Sequence, residues 1–156
     1  MIVVADSTPL IALARVGRLH LLRDVFGRVI IPQAFWNETV QDGQGQSGAQ
    51  EIRDASWIEL RTLGAGKHVA QQLLQMLGDG ESEAIALAQE MNADLLLMDE
   101  KLGRAAARAL GLRLTGLIGV LIEAKKSGIL PDAVQLAHSI RAAGVWISDD
   151  LIHLLE

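Results

Sequence analysis

The chain has 156 residues, 50% of them apolar, with a net charge of −5 and no cysteine. That excludes a disulfide scaffold, a thiolate nucleophile and a cysteine-zinc site, and it argues against a broad basic surface for nucleic acid. Two Phe, three Trp and no Tyr leave little for a platform of stacked bases. The start lacks a basic n-region and places an acid at position 6, and no apolar run approaches membrane-spanning length. The expectation is one soluble cytoplasmic domain over residues 1–156, with no membrane association.

Residues 2–5, Ile-Val-Val-Ala, are too short for a helix and read as a buried strand that ends on Asp6. Ser7, Thr8 and Pro9 follow, a cap-and-proline grammar that opens a helix. Residues 10–16 continue it and Gly17 ends it. Asp6 then sits where a central strand hands over to a helix, the end of an open α/β sheet at which ligands bind. Helix capping is the other use of an Asp at such a place.

Leu19, Leu21, Leu22, Val25 and Phe26 mark a second short helix, closed by Gly27. Residues 28–31 form a second strand, and Pro32 opens a helix on which Ala34, Phe35 and Glu38 share a face, at about 0, 100 and 40°. Residues 42–48 are a turn-rich polar insert. Residues 57–63 alternate as an edge strand, with Trp57 packed at one end. Residues 67–77 are helical, with Val69, Leu73, Leu74 and Leu77 on one stripe. His20, His68, His138 and His153 show no metal-ligand spacing and read as ordinary helix residues.

Gly78-Asp79-Gly80 breaks the chain and Glu81 begins a helix that runs to Met91. Residues 94–98 are the second strong apolar run, and this one too ends on acid, Asp99 and then Glu100. A helix over 101–110 is stopped by Gly111, and 112–115 is a last short strand. It leads into a helix over 117–126, which Gly128 stops. Pro131 starts another, and Ser148-Asp149-Asp150 caps the final one. The alternation of strands and helices implies a mostly parallel sheet covered on both faces.

Four acids fall at telling places: Asp6 and Asp99 at strand ends, Glu38 on a helix face, and Glu81 or Glu83 at a helix start. If they converge, like charges raise one another's pKa, and a divalent cation resolves the conflict. Oxygen-only ligation suits Mg²⁺ or Mn²⁺; a structural network of acids is the alternative. Glu81 and Glu83 point roughly 200° apart on one helix. Glu81 lies with Ala84, Ile85 and Ala88 on the buried stripe. Glu83 lines up with Ala86 and Glu90 on a face that reads as solvated, where the helix dipole favours an acid.

Asp6-Ser-Thr-Pro-Leu-Ile, Ile31-Pro with Glu38, Gly80-Glu-Ser-Glu-Ala-Ile-Ala-Leu-Ala88 and Leu97-Met-Asp99-Glu with Gly103-Arg104 together resemble PIN-domain proteins. The branch they resemble is the small PIN-like one, of the DUF3368 type, related to the toxin ribonucleases of toxin–antitoxin pairs. The resemblance is strongest over residues 2–127. The C-terminal helices of 131–156 follow, and Trp146-Ile-Ser-Asp-Asp-Leu-Ile also looks like that branch. The resemblance implies a three-layer α/β/α sandwich and a Mg²⁺- or Mn²⁺-dependent endoribonuclease that hydrolyses RNA phosphodiester bonds. It also implies a cognate antitoxin protein and, as in many relatives, a homodimer.

Carried over singly, Asp6, Glu38, Glu81 and Asp99 match the family's four acids in order. Glu81 precedes Asp99 by 18 residues, the register of the third and fourth acids in PIN relatives. Glu83 is then a candidate for contact with metal-bound water. Ser7 or Thr8 could meet a phosphate or orient Asp6, although capping is the expected use of at least one. Lys101 and Arg104 follow Asp99 closely enough to meet substrate phosphate, or are solvated cations on an exposed helix. The third acid is commonly Asp in the toxin members and is Glu here. The hydroxyl residue they often carry two before the fourth acid is Leu97. A haloacid-dehalogenase-type phosphatase needs a second Asp two residues after the first, where this chain has Thr8. A non-catalytic PIN-like module that binds RNA or protein is the alternative. Trp36 with Val40, and Leu151, Ile152, Leu154 and Leu155, either form a self-association face or complete the core.

Overall fold

The computed structural model describes residues 1–41 and 48–156. Five strands form one all-parallel sheet in the order β3-β2-β1-β4-β5. They are β1 (Val3–Ala5), β2 (Val29–Pro32), β3 (Ile58–Arg61), β4 (Leu95–Leu97) and β5 (Leu114–Thr115). The chain builds outward from β1 to β3, then returns to place β4 on the other side of β1. Strand order therefore reverses at β1, and the crevice beyond the ends of β1 and β4 is the place where such sheets bind ligands. β3 is an edge strand, with Trp57 packed against the core, as its alternation predicts.

Alternation along the strands feeds two cores. Val3, Ala5, Ile31 and Leu97 face one side, in one core with residues of α1 (Ser7–Arg15), α2 (His20–Phe26), α4 (Ala49–Asp54), α8 (Leu117–Lys126) and α9 (Ala133–Ala142). Val4, Ile30, Leu96 and Met98 face the other, against α6 (Asp79–Glu90), α7 (Lys101–Ala109) and α5 (Lys67–Leu73). Period-2 apolar strands with helices on both faces make the three-layer sandwich. Leu97 is fully buried, so at this position a hydroxyl would need a partner that an isobutyl group does not, and its burial contributes about 1.5–3 kcal/mol.

Several expectations need correction. α6 begins at Asp79, with Gly78 in the cap position, so Gly80 lies inside the first turn instead of before it. The segment after β2 is regular only over α3 (Gln33–Phe35) and then continues as a π-helix, Trp36–Gln41. Pro32 ends β2 and α9 starts after Asp132, whose side chain accepts from Gln135 N–H. α5 stops at Leu73, and Leu74 is exposed, off the buried stripe. Within the C-terminal segment, α10 (Asp149–His153) is capped by Ser148 as expected. Ile152 and Leu155 are core, whereas Trp146, Leu151 and Leu154 are exposed. Trp36 packs against the core; the side chain of Val40, and the insert apart from Gly48, lie outside the described residues. No helix among the described residues is long and apolar enough to cross a membrane.

Candidate active site

Asp6 follows β1 directly, and its N–H donates to Leu97 O of β4 at 2.9 Å. It is 3% exposed, one of two buried polar residues among those described, the other being Ser82. It occupies the cap position of α1, yet its carboxylate makes no capping bond, and neither Ser7 nor Thr8 caps. Both hydroxyl residues belong to the first turn of α1, Ser7 half-buried and Thr8 exposed. The capping expectation is overturned because the helix starts at Ser7, two residues before Pro9, which puts both hydroxyl residues inside it.

Burial alone pushes the Asp6 carboxyl up, and the Ser7 N–H opposes it. Glu81, Glu38 and Asp99, in that order, push it further, to about 6. The structure therefore brings the other three predicted acids within Coulombic reach of Asp6 at the carboxyl end of β1 and β4. Gly80 shows how close they stand: a Cβ there would be 3.5 Å from Glu38 Oε2 and 3.6 Å from Asp6 Oδ1. The missing side chain leaves room between two carboxylates. The π-helix turns Glu38 toward this point although the residue as a whole is exposed, in keeping with the frequency of π-turns at functional sites.

Asp99 is oriented differently. Leu117 N–H donates to its Oδ1 at 3.1 Å and Oδ2 at 3.2 Å, so it anchors the N-terminus of α8, where a carboxylate is stabilised. Loss of water around the inward-turned carboxyl raises its pKa, against the lowering effects of the Leu117 N–H and Arg104. A Cβ on Gly116 would collide with Asp99 Oδ1, so this approach depends on glycine. Among the described residues, no three His, Asp or Glu side chains converge on a point that would hold a metal ion. The expected convergence is thus one of neighbourhood, with Asp99 drawn off toward α8. The donor set still fits a hard divalent cation: carboxylate oxygens only, around a buried Asp whose pKa is raised by burial and, less, by neighbouring negative charge.

Glu83 is not on a solvated face. It is half-buried, Ala86 behind it is fully buried, and its Oε1 accepts from Ala34 N–H at 3.1 Å. The helix that carries Glu81 is thereby tied to the segment that carries Glu38. The reading failed because α5 and α3 cover that face of α6, which helical periodicity alone does not reveal. Arg104 is no free surface cation either: its Nη1 donates to Met98 O at 2.7 Å, steadying the turn before Asp99. Glu100 caps α7, accepting from Leu102 and Gly103 N–H. Lys101 stays exposed at the first position of α7. The residues that sequence reasoning missed are Gly80 and Gly116, each adjoining an acid on an opposing element; Gly80 stood inside a quoted motif as a mere breaker.

The family profile described as DUF3368: PIN domain matches residues 2–155. The chain belongs to the PIN-domain family. PIN-domain proteins generally include nucleases and are commonly dependent on divalent metal. Among solved structures, this PIN domain is similar to a PilT N-terminus domain protein from the hyperthermophilic archaeon Sulfolobus solfataricus P2. The two are 19% identical, with a TM-score of 0.49, over 77% of this chain and 90% of that one. No curated protein matches the chain.

Proposed function

We propose that this PIN domain is a Mg²⁺- or Mn²⁺-dependent endoribonuclease of the cytoplasm, the toxin of a toxin–antitoxin pair. The observation that carries the reading is Asp6: a carboxyl at the switch point of a parallel sheet, its pKa raised first by burial and then by three neighbouring acids. A divalent cation, when bound, supplies an activated water and neutralises charge on the scissile phosphate. Asp6, Glu38, Glu81 and Asp99 would hold it. Asp6 releases its proton for that role, and Glu38 and Glu81 reach in from two segments that Glu83 keeps in register. Asp99 does so by relaxing its bond to Leu117 N–H. Arg104 holds the Met98 carbonyl and so the turn on which Asp99 sits. Lys101, and Ser7 or Thr8 at the start of α1, would meet the flanking phosphates.

The engagement of both Asp99 oxygens by α8 favours a second reading, a non-catalytic module that binds RNA or protein. Cleavage of a generic RNA separates the two. The wild-type protein is expected to cut with Mg²⁺ or Mn²⁺ and not with EDTA, and Asp6→Asn and Asp99→Asn to lose activity. Full activity of both variants would overturn the metal-site reading, and a folded protein that cuts nothing would favour the binding module. A cognate antitoxin would be a protein that binds this chain and stops cleavage, and light scattering on the pure protein tests the homodimer.

A further inference from the structure

On the flank of α6 away from the acids lies a cavity of about 460 Å³. Its walls use the elements that carry the acids: Gln33 opens α3, and Ser82 and Glu83 sit beside Glu81 on α6. Asp79 and Glu83 point roughly 200° away from Glu81, which puts the pocket about one helix width, roughly 10 Å, from the acidic centre. Leu63, Ala70 and Leu74 form an apolar wall, and Thr62 and Gln71 add hydroxyl and amide groups. This mixture of apolar walls with a few placed polar groups, at this size, suits one small organic ring system.

Two further features point to a ligand. Ser82 is fully buried, and its Oγ meets no hydrogen-bond partner among the described residues. Such hydroxyls are rare in folded proteins and are accounted for when a bound group supplies the partner. The walls are also fixed in advance. Gly64 and Gly66 N–H both donate to Glu90 Oε1, at 2.9 and 2.7 Å, which pins the turn between β3 and α5. Glu83 likewise holds Ala34 beside Gln33.

Charge decides what can enter. Asp79 and Glu83 outweigh Lys67 in the lining, so a phosphate is repelled from the interior and a neutral base is not. We infer that this pocket is a nucleobase subsite, which takes the base of a nucleotide adjoining the scissile phosphate while exposed Lys67 meets that nucleotide's own phosphate. That the strand is RNA under cleavage rests on the nuclease reading above. Glu83 gives one lone pair to Ala34 N–H and keeps the others, and a carboxylate only accepts. The subsite therefore takes a base by a donor edge, the exocyclic amino group of adenine, cytosine or guanine or the N3–H of uracil.

The test needs neither metal nor turnover. Metal-free protein is titrated with AMP, CMP, UMP and ribose 5-phosphate and followed by amide NMR shifts. The three nucleotides are expected to shift Leu63, Gln71 and Ser82 at concentrations about tenfold below ribose 5-phosphate, which lacks the base. Gln71→Trp, which fills the mouth from an exposed position, is expected to abolish the shifts. Ser82→Ala is expected to weaken binding while thermal stability stays equal or rises; a purely structural hydroxyl would lower stability and leave binding alone. Shifts confined to Asp6 and Asp99, no preference over ribose 5-phosphate, or binding unchanged in both variants would each overturn the subsite. If the protein cuts no RNA, the nuclease reading fails, and the titration still decides the pocket by itself.

Discussion

A carboxyl with almost no water contact and three acids nearby makes Asp6 a liability to the metal-free fold. Its folded pKa, about 6, lies above the ordinary 3.8, so folding takes up a proton. The stability it contributes is complete below about pH 3.8 and is lost as pH rises through about 6. Well above pH 6 the cost is about 2–3 kcal/mol. Asp6→Asn removes it, so in EDTA the variant should be more stable than wild type by that order at pH 8 and by little at pH 4. Urea denaturation of both proteins at the two pH values checks this, and equal differences at both would show that Asp6 is not strained. Glu81 and Glu83 separate in the same way. Glu81→Gln is expected to abolish metal-dependent cleavage without unfolding. Glu83→Gln retains an acceptor for Ala34 N–H and should keep most activity, whereas Glu83→Ala orphans that half-buried donor and should cost roughly 1–3 kcal/mol. Equal stability of the Gln and Ala variants would show that the 3.1 Å bond contributes nothing.

At the scale of elements, the site depends on where helices begin. Because α6 starts at Asp79, Gly80 falls in its first turn and faces Glu38 and Asp6. An Ala there is better than Gly for the helix, by about 1 kcal/mol at most, and its Cβ meets ordinary van der Waals distances. It also fills the space between two carboxylates. Gly80→Ala should therefore raise or preserve the melting temperature while lowering Mg²⁺ affinity, measured by calorimetric titration. Unchanged affinity would place the cation elsewhere. The strands and most helices were legible because apolar runs of three or four residues ending on acid or glycine leave few alternatives. The position of Asp6 and Asp99 at strand ends was legible for the same reason, since each follows such a run. The π-helix over Trp36–Gln41 was not, because nothing in Trp-Asn-Glu-Thr-Val-Gln distinguishes a π-turn from an α-turn. Nor was the environment of Glu83, or the engagement of Asp99 by α8. Both depend on which helix docks on which, and a periodicity confined to one helix carries no information about its neighbour.

For the whole molecule, the acids lie where the sheet reverses its strand order, so elements from both halves of the sequence meet there. β1 and the π-helix come from the first half, and α6 and β4 from the second. A cation held by Asp6, Glu38, Glu81 and Asp99 would bridge both halves and bind only the folded state. Its binding then adds to global stability as RT ln(1 + [L]/Kd), about 2.7 kcal/mol at a hundredfold excess over Kd. In a chain of this size each kcal/mol moves the melting temperature by roughly 2–4 °C. Saturating Mg²⁺ or Mn²⁺ should thus raise the wild-type value by about 5–10 °C. Protons compete for Asp6, so the shift should shrink as pH falls below about 6. Asp6→Asn should begin above metal-free wild type, for the reason argued at the residue scale, and gain little from metal, so that the two melting curves cross over when metal is added. Thermal denaturation at pH 5 and pH 8, with EDTA and with each metal, measures all of this without any substrate. A metal shift of the same size in Asp6→Asn would place the ion away from the β1–β4 crevice, and a shift that grows at low pH would show that Asp6 is not among its ligands.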